Sequence, residues 1–436
     1  MKFILLVLLT LAAAAQPKQA TPAERVAHWR EDLQFFVEHF SNGHCTPADL
    51  FHSPLTAFQP CHQVDFARLY PQPAFSNEIH AIEESIPTLT DSQIALRLAR
   101  LVASAHVGHT YVSLPALKLG FRPLPVTFHW FADGLTILST TPQHTAALGT
   151  HVLKIGSLSA DQALAAVAPY ISYENQNYLR VSSPSYLNKM ALLREIGAVG
   201  EGNTVTLTLA KGAGEPFTLV LRPREPNLKD VSAIDELHVP ESLARKHPKA
   251  YYWYEYLPDS RALYIQYNRC SNDPQQSMSD FARELFAATA GHPVDSAIVD
   301  LRFNGGGDSR VIGPLKSGLH SGHYPVFVLI GAGTFSSAQD NAIEMRRQLN
   351  ATLVGEPTGE KLNSYGEVRQ FKLPNSDLHI QYSTEFFRMQ KDSDADALYP
   401  DIPAPLALAD FLAAHDAALD AALRAALRPV SGSSRR

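Results

Sequence analysis

Apolar runs typical of strands alternate with helical segments from Tyr251 onward, and this alternation constrains the fold more than any other feature of the sequence. The strand-like runs are YYWYEYL, ALYIQYN, SAIVDL, YPVFVLI and ATLVG. Three segments have helical periodicity: residues 278–289, 309–319 and 338–349. This order predicts an α/β core over residues 251–428, closed by an amphipathic helix at residues 405–427 and followed by a disordered tail, residues 429–436.

Residues 21–115 are predicted to form an N-terminal helical region. Five apolar residues of its first helix fall on one face: Val26, Trp29, Leu33, Phe36 and Val37. Residues 116–225 are predicted to be rich in β-structure, because the runs PVTFHWF and LTILST flank a turn at residues 132–134. The polar, proline-containing residues 226–250 are interpreted as a linker.

Residues 1–16 have the layout of a cleaved secretory signal peptide, with a positive start, an apolar stretch and a run of small residues. The apolar stretch is shorter than the roughly 20 residues of a spanning helix, so we expect a secreted or periplasmic protein without a stable membrane anchor. The net charge of −6 and the lack of a basic cluster argue against nucleic acid as a partner.

Export favours disulfide formation. Cys45 and Cys61 flank a loop-like piece, and a bridge between them would stabilise the fold by about 3 kcal/mol in the loop-entropy model. We predict this bridge, which leaves Cys270 as a buried free thiol.

Ser336 and Ser337 occupy the point at which the apolar run 326–330 gives way to the helical segment 338–349. Unpaired backbone N–H groups and the positive end of the helix dipole favour an alkoxide or oxyanion at such a position. The sequence therefore indicates a nucleophile here. The alternative is that Ser336 is only a helix cap, the commoner role of a serine before a helix.

Three glycines, residues 305–307, follow the strand-like run SAIVDL. Glycines at the end of a strand let backbone N–H groups approach a ligand closely. Neither a GKS or GKT ending nor GxGxxG spacing is present, so nucleotide binding is not expected. The turn is interpreted as an oxyanion hole, with a simple tight turn as the alternative.

Four ordered motifs, DLRFNGGG, TFSSAQ, GEPTG and YPDI, resemble those of the S41 peptidase family, the C-terminal processing and tricorn-core-like serine peptidases. The resemblance covers residues 253–422 and, more weakly, SAHVGHT. It implies a ClpP/crotonase-like core, with residues 149–223 as a degenerate PDZ-like module.

The same resemblance assigns individual residues. It places the nucleophile at Ser336 and the oxyanion donors at the backbone N–H groups of Ser337 and Gly306. Gln339 stands where related sequences usually carry Glu. The acidic candidates for the residue that orients the base are Asp392, Asp394 and Asp396. Counting back from the YPDI motif favours Asp394, with a solvated acidic loop as the alternative for all three.

The family has two kinds of general base, and the sequence offers a candidate for each. Lys361 has the spacing of a Ser/Lys dyad when counted from the GEPTG loop, but not when counted back from the following strand. His109 matches the histidine of the second branch, and an imidazole has a suitable pKa without special burial. His106 is an alternative base three residues away. We predict that His109 is the base.

These residues predict a secreted serine peptidase that acts on polypeptides or peptides through an acyl-enzyme. The alternatives are a non-catalytic ligand- or peptide-binding protein on the same fold and an esterase or amidase. No cofactor is expected. A metal is not expected either, because the two histidines have no third ligand at useful spacing in the sequence.

Overall fold

The computed structural model describes six ranges of the chain: residues 20–41, 66–71, 73–115, 118–224, 235–236 and 239–427. The predicted signal peptide, the predicted bridge between Cys45 and Cys61, and the predicted tail lie outside these residues. Within the described ranges, no helix is long and apolar enough to cross a membrane. Cys270 is buried and free, as predicted.

Helices dominate the N-terminal part. Its elements are α1 (Pro22–Ser41), α2 (Phe66–Leu69), α3 (Ala74–Ser85), α4 (Asp91–Ala103) and a short strand, β1 (Tyr111–Ser113). Trp29, Leu33 and Phe36 are buried on one face of α1. A capping box fixes the start of α4, because the side chains of Thr90 and Gln93 each accept the backbone N–H of the other residue.

A seven-stranded sheet forms the middle of the chain. Its strands are β2 (Val126–Phe131), β3 (Gly134–Thr140), β4 (His151–Ile155), β5 (Leu158–Ser159), β6 (Val205–Ala210), β7 (Phe217–Leu221) and β8 (Asp235–Glu236). Between β5 and β6 lie α5 (Ala160–Val167), α6 (Gln176–Ser182), α7 (Pro184–Leu187) and α8 (Met190–Glu195). Because β8 pairs with β3, part of the predicted linker belongs to this sheet.

A second sheet forms the C-terminal core. Its strands are β9 (Tyr252–Leu257), β10 (Ala262–Tyr267), β11 (Ser296–Asp300), β12 (Val326–Ile330), β13 (Thr352–Gly355) and β16 (Ile402–Pro403). The order is β16-β13-β12-β11-β10-β9, and only β9 runs antiparallel to its neighbour in this described sheet. The predicted α/β class is confirmed.

Helices cover both faces of this core sheet. One face packs against α9 (Met278–Thr289), α10 (Gly313–Gly322) and α11 (Ser337–Leu349). The other face packs against α13 (Ala417–Ala426). Every residue of β10, β11 and β12 is therefore buried, which explains why these strands read as continuous apolar runs.

The predicted single helix at residues 405–427 is two helices, α12 (Leu408–Leu412) and α13. Ala414 lies between them with φ of 54°, which a helix cannot continue through. Asp416 then caps α13 by accepting the N–H of Leu419 at 3.0 Å, and it also pairs with Arg302 at 2.7 Å. The cap and the ion pair together fix the start of a separate helix.

A hairpin connects the N-terminal helices to the C-terminal core. Its strands are β14 (Asn363–Lys372) and β15 (His379–Arg388), and β1 pairs antiparallel with β15. Asp32 of α1 accepts the backbone N–H groups of Asn375 and Ser376 at the hairpin turn, both at 2.8 Å. The segment between α4 and β1 is thereby held beside the core.

Candidate active site

Ser336 lies immediately before α11, with φ of 55° and ψ of −135°. An L-residue rarely adopts this conformation, and such strain persists where the surrounding structure holds it. The side chain makes no capping hydrogen bond to the helix. The hydroxyl is therefore not used as a helix cap, which was the alternative interpretation of this serine.

The glycine turn packs directly on the serine turn. Gly306 has φ of 102°, and a Cβ atom at this position would lie 2.7 Å from Ser336 Cβ and 3.0 Å from the carbonyl oxygen of Phe335. Any side chain would force the two turns apart. A hydrogen bond holds the turn in place, because Cys270 N–H donates to the Gly306 carbonyl at 3.1 Å.

The structure favours Gly307 over the predicted Gly306 as an amide donor. Gly306 N–H donates to Asn304 Oδ1 at 2.9 Å and is therefore occupied. Neither Gly307 N–H nor Ser337 N–H has an acceptor among the described residues, and both residues line the same cavity. The Gly306 carbonyl and the Gly307 N–H belong to one planar, trans peptide and point in opposite directions. Because the carbonyl faces Cys270 N–H, the Gly307 N–H points away from Cys270.

His109 reaches the site from the segment between α4 and β1. It is 8% exposed, and its ring centroid lies 4.6 Å from that of Phe335. Burial lowers the pKa of His109 to about 4, and a hydrogen bond with the backbone of Tyr365 opposes this shift. The imidazole is consequently neutral at pH 7, the form that accepts a proton.

Glu360 links the predicted base to the predicted nucleophile. It is 3% exposed, and its Oε1 atom lies 3.4 Å from His109 Nδ1. Its Oε2 atom accepts the backbone N–H of Ser336, and Ser364 Oγ donates to Oε1 at 2.7 Å. Burial raises the pKa of Glu360 to about 8, with a further contribution from the nearby Glu174, so the group is mostly ionised only above about pH 8.

A second carboxylate, Glu174, completes this cluster. The ligand atoms of His109, Glu174 and Glu360 all lie within 4.8 Å of one another, which is close enough to hold a cation. This set differs from the histidine pair considered in the sequence, because His106 does not belong to it. However, backbone or hydroxyl donors already occupy all four carboxylate oxygens, so we assign the cluster to hydrogen bonding.

The side chains of three other candidate residues do not belong to this cluster. Asp394 is exposed, and its Oδ1 atom accepts from Asn363 Nδ2 at 3.3 Å, so the carboxylate beside His109 is Glu360 instead. His106 is exposed, with its ring 5.8 Å from that of Tyr173. Lys361 does not line the cavity that contains Ser336.

Gln339 ties α11 to the loop that carries Glu360. It is buried, and its Nε2 atom donates to the Lys361 carbonyl at 2.8 Å. Thr358 Oγ1 donates to its Oε1 atom. Both interactions are neutral hydrogen bonds, so Gln339 holds the loop in place without adding a third charge beside Glu174 and Glu360.

A cavity of about 720 Å³ opens over Ser336. His109, Glu360, Ser337 and Gly307 also line it. Its apolar walls come from Tyr111, Tyr178, Phe335, Val368 and Phe387, and its charged walls from Asp308, Arg310, Asp340 and Glu367. The cavity is large enough for several residues of an extended peptide.

Solved structures with a similar fold include peptidases. The crystal structure of mature CPAF matches at 12% identity and a TM-score of 0.61, covering 92% of this chain and 96% of that chain. Mature CPAF complexed with lactacystin matches at 13% identity and a TM-score of 0.58, covering 88% and 96%. CPAF belongs to the S41 family or its close relatives, so the predicted resemblance is confirmed at the level of the fold. No family model and no curated protein matches the chain.

Proposed function

We propose that this protein is a serine peptidase. The observation that carries the proposal is the placement of Glu360 at the floor of one cavity, where it accepts the backbone N–H of Ser336 and lies 3.4 Å from His109 Nδ1, too poorly aligned for a hydrogen bond. A serine, a neutral histidine and a carboxylate in contact are the components of nucleophilic acyl transfer. Three separate parts of the sequence are brought together to form this group.

In the proposed reaction, Ser336 Oγ attacks the substrate carbonyl while His109 takes the hydroxyl proton. Because Nδ1 faces Glu360, the proton goes to Nε2. The N–H groups of Ser337 and Gly307 stabilise the oxyanion. His109 then gives the proton to the leaving amine. Water next attacks the acyl carbonyl while His109 takes a proton from it, and His109 returns that proton to Ser336 Oγ as the ester bond breaks and the acid is released.

The proposed substrate is a polypeptide or peptide, and the proposed site of action is outside the cytoplasm, as the N-terminal sequence predicts. The parallel strands β10–β13 support a ClpP/crotonase-like core. The strands β4–β7 with α5 support a degenerate PDZ-like module at residues 149–223. Such a module would bind an extended chain end by strand addition.

Fluorophosphonate labelling tests the proposal. We expect the wild type to be labelled at Ser336, Ser336→Ala to be unlabelled and His109→Ala to react far more slowly. Lys361→Ala should react like the wild type, because its side chain lies outside the cavity. Labelling that depends on Lys361 and not on His109 would overturn the assignment of the base.

Two further results separate the rival functions. A wild type that is not labelled and cleaves no peptide would make the protein a binding protein on this fold. A labelled protein that hydrolyses small esters or amides but not peptides would make it an esterase or amidase.

A further inference from the structure

Glu174 lies between the two segments that carry His109 and Glu360. Its Oε1 atom accepts the backbone N–H of Gly108 at 3.1 Å, and its Oε2 atom accepts the backbone N–H of Lys361 at 3.0 Å. Gly108 immediately precedes the histidine, and Lys361 immediately follows the glutamate. One carboxylate thus joins the backbones of both segments.

We propose that Glu174 is a positioning residue that sets the separation between His109 Nδ1 and Glu360 Oε1. This inference rests on the proposed function. Hydrogen bonds from N–H groups to a carboxylate are stronger than neutral ones, and burial strengthens them further. Without Glu174, two part-buried N–H groups on the segments of His109 and Glu360 would lose their acceptor, and the loops would move to find another.

Glu174 also acts through its charge. The charged or titratable groups around Glu360 are His109, Glu174, Asp340 of α11 and Lys361. Burial raises the pKa of Glu174 as well, and once Glu174 is ionised its charge raises the pKa of Glu360 beyond the effect of burial. Removing that charge should therefore let Glu360 ionise, and support His109, at lower pH.

Two substitutions distinguish the effect of the length of the Glu174 side chain from the effect of its charge. Glu174→Gln keeps the length of the side chain but removes its charge. Its NH₂ group would face one of the two backbone N–H groups and cannot accept a hydrogen bond from it. Glu174→Asp keeps the charge but is one methylene shorter and cannot reach both donors. Glu201→Gln, in an exposed loop, is the matched control.

The rate of fluorophosphonate labelling of Ser336 is measured against pH at several probe concentrations. We expect the maximal rate to fall on the order of tenfold to a hundredfold in both Glu174 variants, with little change in apparent probe affinity. The pH midpoint should move to lower pH in Glu174→Gln only. Glu201→Gln should match the wild type.

The outcomes distinguish this inference from the proposed function. Unchanged maximal rates in both variants would overturn the positioning role. A purely structural role would lower the labelling rate in proportion to the loss of thermal stability. It would also leave the pH midpoint of labelling unchanged in Glu174→Gln. If Glu174→Gln does not fold, the rate of Glu174→Asp decides. A wild type that reacts at no pH would overturn the proposed function, and the positioning role with it.

Discussion

Glu360 Oε2 accepts the backbone N–H of Ser336, so a buried carboxylate lies directly beneath the strained serine. The other oxygen of the same carboxylate faces His109 at 3.4 Å. In the proposed site, the orientation of His109 and the conformation of Ser336 therefore both depend on one side chain.

Above about pH 8, where Glu360 is ionised, Glu360→Gln should reduce labelling and peptide hydrolysis on the order of 10²- to 10⁴-fold, because a neutral amide stabilises an imidazolium much less than a carboxylate does. Asp394→Asn should retain activity near that of the wild type, since Asp394 is exposed and bonded to Asn363. Rates of both variants measured side by side check this. A larger loss of activity in Asp394→Asn than in Glu360→Gln would assign the orienting role to Asp394 instead.

Glu360 should make stability depend on pH. Its folded-state pKa is raised, so the native state keeps a proton that the unfolded state loses above about pH 4.5. Its contribution to stability is therefore present below pH 4.5 and is lost as pH rises through the folded pKa. His109, with its lowered pKa, acts in the opposite direction between about pH 4 and 6.5.

The difference between wild type and Glu360→Gln isolates the carboxyl group. In urea unfolding between pH 5 and 8, the stability of the wild type should decline relative to that of the variant as pH rises. A difference that stays constant across this range would show that Glu360 has an ordinary pKa.

Gly306→Ala should abolish activity and lower stability, because the added Cβ would lie 2.7 Å from Ser336 Cβ at a φ of 102°. Gly305→Ala is the matched control, since nothing lies within 4 Å of a Cβ atom there. Thermal unfolding and labelling of the two variants provide the measurement. Equal behaviour would mean that the two turns do not pack as described.

Arg302→Ala should destabilise the fold by roughly 3–5 kcal/mol, because it leaves the buried carboxylates of Asp300 and Asp416 without their partner. Arg310→Ala removes an ion pair to Asp308 that is mostly exposed, and it should cost at most about 1 kcal/mol. Urea unfolding of both variants tests this contrast. Similar losses would indicate that the Arg302 cluster is solvated.

The C-terminal core was predictable because its strands are buried on both faces and its helices are amphipathic. The element α9 coincides with the predicted helix, and α11 begins one residue before the predicted start. The break at Ala414 was missed because an Ala-rich sequence has no local signal for it. The ion pair of Asp416 with Arg302, a contact distant in sequence, helps to fix the break.

The candidate site was predictable only where a short motif marks it. The positions of Ser336 and His109 in one cavity agree with the motifs that contain them. Glu360 lies in the GEPTGEK segment but looks like part of a solvated loop, because its burial arises from contacts with distant parts of the chain. Glu174 lies outside every motif, and only the fold brings it to Gly108 and Lys361.

The pairing of β1 with β15 has a consequence for biosynthesis. His109 is made early on the ribosome, but its segment is held in place by a strand that ends at Arg388. Until that strand has emerged, the nascent chain contains the nucleophile and the base without the contact that joins them. In the proposed peptidase, activity would therefore begin only after β15 has been translated.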